Sequence, residues 1–104
     1  MTRSLAQHFP TLGFIGTGNM ATAILKGTVG AGRLDGQSVF AFDIDTQKLD
    51  QLAGELHIQP CANLTALMRN AQFLLLAVKP QQLKAVLDEI APLVTPNHCL
   101  ISIA

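Results

Sequence analysis

Long hydrophobic runs, an excess of either charge and paired cysteines are all missing from this chain. The longest apolar run, Phe73 to Val78, falls far short of the roughly 20 residues that a helix needs to cross a bilayer. No transmembrane helix is expected, and no membrane partner. Lys plus Arg and Asp plus Glu number seven each among 104 residues, a balance that offers no basic face to nucleic acid or to an anionic lipid surface. Cys61 and Cys99 stand alone in apolar surroundings, with no CxxC pair, and read as two reduced packing cysteines rather than a disulfide or a metal site. His8, His57 and His98 show no ligand spacing and read as surface or loop residues, so no metal is expected. The opening "MTRSLAQHFPTL" lacks an apolar core ahead of a small-residue cleavage site. It does not read as a secretory signal, and a cytoplasmic location is expected.

What is present is apolar and alternating. Hydrophobic residues make up 49% and charged residues 13%, enough for one domain with a real core and against disorder. Residues 1–10 read as an N-terminal extension and 11–104 as the domain. Thr11 to Ile15 is a glycine-punctuated apolar strand. After Gly18 the spacing turns helical through Met20, Ala23, Ile24 and Gly27. The glycine-rich "VGAGRLDGQ" ends that helix, and "SVFAFD" is a second strand ending at Asp43. Thr46 is placed to cap a helix with Leu49, Leu52, Ala53 and Leu56 on one stripe, running to about His57. "HIQP" allows a brief strand. Asn63 then precedes a helix carrying Leu64, Leu67, Met68 and Ala71. "QFLLLAV" is apolar on both faces, as a central parallel strand must be. A helix with Leu83, Val86, Leu87 and Ile90 follows, limited by Pro92, and "HCLISIA" is a last strand. Strands that alternate with helices predict an α/β fold: a Rossmann-type doubly wound parallel sheet.

Within that frame "GFIGTGNMATAILKG" (13–27) sits after the first strand and opens the first helix, where a dinucleotide fingerprint belongs. Gly16 allows the tight turn. Gly18 lets the backbone approach a pyrophosphate, and Ala21 is small enough for the helix to pack on the strand. The N–H groups of Thr17 to Met20 and the positive end of the helix dipole would make the anion site. The alternative is a glycine turn serving packing alone. Asp43, at the end of the second strand, is placed to accept hydrogen bonds from an adenosine ribose, which favours NADH and repels the 2′-phosphate of NADPH. Lys48 is the only cation nearby. A solvated strand-end aspartate is the other reading of Asp43.

"GFIGTGNMATAILKG", "LLLAVKPQQL" and "ISIA", in this order and at these separations, resemble the N-terminal domain of the pyrroline-5-carboxylate reductases, within the wider 6-phosphogluconate-dehydrogenase-like group. The Asn19–Met20 pair and Val78-Lys79-Pro80 are the most specific parts. The resemblance implies that Ile15, Gly16, Thr17, Gly18, Asn19 and Met20 hold the pyrophosphate of NADP or NAD. It further implies that Asp43 faces the adenosine ribose, that Asn63 reaches the cofactor, and that Ala77, Val78, Lys79 and Pro80 lie against the ribose and nicotinamide. The implied activity is hydride transfer from NAD(P)H to 1-pyrroline-5-carboxylate, giving proline. Family members commonly carry a small hydroxyl-bearing or basic residue where Asp43 stands, which fits NADPH. Here NADH becomes more plausible, while family usage still favours NADPH being accepted.

The chain stops at Ala104 inside a segment similar to the family's "SIAAG", which predicts a truncation ahead of a helical C-terminal domain. In the family that domain supplies the imino-acid pocket and the homo-oligomer interface. This stretch alone is therefore expected to bind cofactor without turnover, and no catalytic residue is assigned in it. Another dehydrogenase or reductase of the same superfamily, or a nucleotide-binding module without chemistry, are the competing readings.

Overall fold

The structure, a computed structural model, describes residues 11–103. The expected extension over 1–10, His8 within it, and the end at Ala104 lie outside the described residues. Five strands, β1 (Leu12–Ile15), β2 (Val39–Phe42), β3 (Gln59–Pro60), β4 (Phe73–Leu76) and β5 (Cys99–Ser102), form one sheet in the order β3-β2-β1-β4-β5. Every pairing is parallel. Four helices connect them: α1 (Asn19–Thr28), α2 (Thr46–Leu56), α3 (Leu64–Asn70) and α4 (Pro80–Ile90).

The side-chain period of two sends alternate residues of each strand to opposite faces, and each face is covered. Phe14, Val39 and Ala41 meet Ala21 and Leu25 of α1 and Leu49, Leu52 and Leu56 of α2 on one side. Ile15, Leu74 and Leu76 meet Leu64, Leu67 and Met68 of α3 and Ile90 of α4 on the other. The sheet is thus doubly wound, as the alternating sequence predicts. α3 approaches β1 so closely that a Cβ at Gly13 would lie 2.7 Å from the Ala71 Cβ.

Some local expectations hold and others are corrected. Asp45, not Thr46, is the N-cap of α2: its carboxylate accepts from the Lys48 amide, and Thr46 is the first helical residue. His57 is exposed and outside the helices and strands, as expected, and it closes α2 in the left-handed conformation (φ 60°) usually taken by glycine. His98 lies in a loop, as expected, and is tied to its neighbours. Its Nδ1 accepts from the Thr95 amide at 2.9 Å, so Nε2 carries the proton donated to the Met68 carbonyl at 2.7 Å. Cys61 is buried as expected, and burial pushes its thiol up, which keeps it protonated at neutral pH. Cys99 is instead exposed, because β5 is the sheet's edge among the described residues and all four of its residues are exposed.

That edge generates a prediction. Leu100 and Ile101 are 38% and 42% exposed on a strand with one free hydrogen-bonding side and no charge or proline to guard it. Light scattering across a concentration series is expected to show this chain associating, and Ile101→Lys to return it to a monomer. A concentration-independent monomer mass for the parent chain would contradict this.

Candidate functional site

In a parallel sheet with this strand order, β1 and β4 send their connections to opposite faces, which opens a crevice at their carboxyl ends. A cleft of about 610 Å3 lies there. Its floor is the loop from Ile15 to Gly18, one wall is Phe42 to Asp45 with Lys48, and the other is Ala77 to Lys79 with the first turns of α4. A second cleft of about 620 Å3 sits at the opposite end of the strands, lined by Thr11, Arg69, Gln72 and His98 among others. The two volumes do not separate the candidates; the chemistry of the backbone does.

The loop leaving β1 is fastened residue by residue. The Ile15 carbonyl accepts from the Ala77 amide, and the Gly16 amide donates to the Phe42 carbonyl, each at 2.8 Å. Gly16 turns the chain with φ 93°, and a Cβ there would meet the Ala77 carbonyl oxygen at 2.9 Å, so both conformation and space demand glycine. Gly18 is different. Its φ of −67° suits any residue, and a Cβ would meet only the Ala77 oxygen at 3.7 Å, an ordinary contact. Packing explains Gly16 and does not explain Gly18.

Gly18 is the N-cap of α1 and supplies no side-chain cap. The amides of Gly18, Asn19 and Met20 have no acceptor among the described residues, and they coincide with the positive end of the helix dipole. Met20, at 60% exposure, leaves the helix start open to solvent. α4 likewise begins at the cleft on Lys79 with no side-chain cap. α2, which also starts at the cleft, is sealed by Asp45, and α3 by Asn63, whose Oδ1 accepts from the Ala66 amide at 2.8 Å.

Thr17 departs from expectation. Its amide is not part of the open set, because it donates to Asp43 Oδ2 at 2.8 Å, and its hydroxyl donates to the same oxygen. Asp43 Oδ1 accepts from the Asp45 amide at 2.9 Å. Partial burial disfavours the charged Asp43, yet the Thr17 hydroxyl, the Asp45 and Thr17 amides and the positive charge of Lys48 together outweigh it and hold the carboxyl below its ordinary range. Asp43 is neither a solvated strand-end charge nor a carboxylate turned wholly toward a ligand.

Of the residues expected at a site, the fold gathers Ile15, Gly16, Thr17, Gly18, Asp43, Ala77, Val78 and Lys79 around the cleft. Asn19 and Met20 start α1 beside it, and Pro80 is the first residue of α4. Asn63 is spent as the α3 cap and does not line the cleft. Sequence reasoning missed Ile44, 78% exposed at the mouth, and Gln81, Gln82 and Ala85 of α4. An apolar residue directly after a strand-end aspartate was the signal available for Ile44. No His/Cys/Asp/Glu cluster able to hold a metal occurs among the described residues, and no helix among them is long and apolar enough to cross a membrane.

Comparison with known proteins shows the family and the fold. Residues 11–104 match the model of the family described as NADP oxidoreductase, coenzyme F420-dependent. The chain is 36% identical over 93 residues to a pyrroline-5-carboxylate reductase of Methanosarcina acetivorans, covering 89% of this chain and 34% of that protein. Among solved structures it is similar to a pyrroline-5-carboxylate reductase from Coxiella burnetii, with a TM-score of 0.84 and 29% identity, covering 91% of this chain and 35% of that one. A Plasmodium falciparum pyrroline carboxylate reductase with NADP bound gives a TM-score of 0.74 at 26% identity, covering 90% and 33%. The kinship read from the sequence is borne out, and the chain spans about a third of the length of the relatives it matches.

The Asp43 carboxylate is expected to support the fold in a pH-dependent way. Its folded pKa is lowered, so its contribution is present above the unfolded value of about 4 and is lost as pH falls through the folded value. Asp43→Asn should cost about 1–2 kcal/mol of unfolding free energy at pH 7, the scale of charge-assisted hydrogen bonds lost. The gap between variant and parent should close on acidification below pH about 4. Urea titrations at neutral and acid pH read both; a gap that widens in acid would contradict the account.

Proposed function

Because the chain belongs to the family described as NADP oxidoreductase, coenzyme F420-dependent, we propose that it is the cofactor-binding part of a pyrroline-5-carboxylate reductase. The observation that carries this reading is Gly18. The backbone does not require glycine there, and the missing side chain leaves the unpaired amides of Gly18, Asn19 and Met20 open to the cleft. A dinucleotide pyrophosphate is the group those amides suit, since it needs several donors, tolerates no Cβ in the way and is drawn by the helix dipole.

The cleft residues divide the cofactor between them. Gly18 to Met20 take the pyrophosphate, and Asp43 and Ile44 face the adenosine half from the end of β2. Ala77 to Lys79, at the end of β4, face the nicotinamide half, as parallel-strand ends do. When bound, the reduced nicotinamide supplies a hydride for the carbon of an imine such as 1-pyrroline-5-carboxylate, whose nitrogen takes a proton as proline forms. Lys79, exposed at the cleft edge, offers its ammonium to cofactor hydroxyls or phosphate. The described residues that line the cleft supply no assigned acid or base. In this reading the imino-acid pocket and the contacts between subunits fall to residues outside the third of the relatives' length that the chain spans. Hydride transfer depends on holding donor and acceptor carbons together, so this chain alone binds cofactor without turnover.

Two outcomes test the reading. Gly18→Val should weaken NADH binding by more than about tenfold, or 1.4 kcal/mol, in titration calorimetry. Thermal stability should change by no more than about 0.5 kcal/mol, since a Cβ there meets only the Ala77 oxygen, at an ordinary contact distance of 3.7 Å. An unchanged affinity rejects the loop as the site. The second outcome concerns cofactor choice. A 2′-phosphate beside the ionised Asp43 costs on the order of 1–3 kcal/mol in a partly solvated site, so fluorescence titration should show NADH binding about tenfold more tightly than NADPH. Asp43→Ser should flatten that preference. A parent chain that prefers NADPH removes Asp43 as the selector.

A further inference from the structure

Thr17 has no task in the reading above, yet its environment is unusual. It is the one polar residue in the buried set among the described residues, at 0% exposure, where a hydroxyl without a partner is costly. Its amide and hydroxyl both donate to Asp43 Oδ2, and its carbonyl accepts from the Thr22 hydroxyl at 3.0 Å. We propose that Thr17 and Asp43 form a latch that fixes the peptide between Thr17 and Gly18, which makes Thr17 a positioning residue for dinucleotide binding that acts equally on NADH and NADPH. The proposal rests on the cofactor reading above and deepens it.

Two arguments carry it. An ionised carboxylate has about four lone-pair sites. Three bonds to Asp43 come from inside the protein, two of them from Thr17. Roughly one site on Oδ1 is left for a ribose hydroxyl, so most of the accepting capacity of Asp43 goes into the loop. The second argument is position. Ile15 and Gly16 are tied to the neighbouring strands through their backbones, and the open amides begin at Gly18. Thr17 is the only residue between the fixed and the open parts, and the orientation of its peptide with Gly18 aims the first of those amides.

The latch differs from a device that aims Asp43 at the ribose. In Thr17→Val the amides of Thr17's position and of Asp45 still hold the carboxylate in place, so discrimination by its charge persists while the loop loses one anchor. The latch is strongest in the ionised form, because protonation removes the negative charge that strengthens both Thr17 bonds. The other charged groups that line the cleft are Asp45, Lys48 and Lys79, and Thr17→Val leaves the bond from the Lys48 amide to Asp45 untouched. Losing the hydroxyl removes one of the bonds that lower the Asp43 pKa, which moves the acid limb of cofactor binding to higher pH.

The test is calorimetric titration of the 104-residue chain with NADH and with NADPH over a pH series. Thr17→Val should weaken both by about the same factor, near tenfold, the size of one charge-assisted hydrogen bond. Its acid limb should lie higher, and Thr17→Ser should stay close to the parent in both respects. Unchanged affinities in Thr17→Val, or a loss confined to one cofactor, overturn the latch. Should circular dichroism show the valine variant unfolded, Thr17→Cys, with a weaker donor of similar size, should show a smaller loss shared by both cofactors, and no loss there overturns the latch. A parent chain that binds neither cofactor overturns the proposed function itself, whereas binding by the parent with an indifferent Thr17→Val overturns only the latch.

Discussion

The chain leaves β1 through a space that has no room for a side chain. At Gly16 it turns into the left-handed region while passing 2.9 Å, measured from where a Cβ would stand, from the carbonyl of Ala77. Hydrogen bonds to β2 and from the segment after β4 hold it on both sides. Everything functional follows from that pinch. It ends the central strand, starts α1 directly over the carboxyl edge of the sheet, and brings Asp43 and Ala77 to within one loop's width of each other. A larger residue at 16 would strain the turn and push the loop off its neighbours, so the cleft exists only because the fold tolerates glycine there.

The contrast between the two fingerprint glycines separates structure from function. Gly16 is explained by geometry internal to the protein. Gly18 is not, and the asymmetry among helix starts points the same way: α2 and α3 are closed by side-chain caps, while α1 and α4 open uncapped onto one cleft. A protein gains stability by capping a helix. Leaving two starts uncapped on the same crevice is reasonable where an anionic ligand completes them. The similarly sized cleft at the other end of the strands has Arg69 and several polar groups, but the Thr11, Asn70 and His98 side chains there already hold partners within the fold.

Much of the fold was legible because it is written in period and punctuation. The apolar run at β4, the helical stripe of Leu49, Leu52 and Leu56, and the glycine-rich break after α1 each place an element near its observed bounds. The glycine loop was legible too, since its meaning depends on following a strand and opening a helix. What escaped were contacts between residues far apart in the chain. Nothing local says that the Thr17 amide is taken by a carboxylate 26 positions away, that His98 reaches the Met68 carbonyl, or that "HCLISIA" is an edge strand rather than an inner one. Short caps also escaped: Asp45 and Thr46 are equally good cap residues by type, and only the backbone of Asp45, extended where Thr46 is helical, decides between them.

The central claim is that a dinucleotide lies across the carboxyl ends of β1 and β4, on the open start of α1. The most direct test is a 15N-edited NMR titration of this chain with NADH. The account predicts that the amides of Gly18, Asn19 and Met20 shift most, with Ile44 and Ala77 to Gln82 following and Arg69, Gln72 and His98 unmoved. Shifts centred on Arg69, Gln72 and His98, with the glycine loop silent, would contradict it.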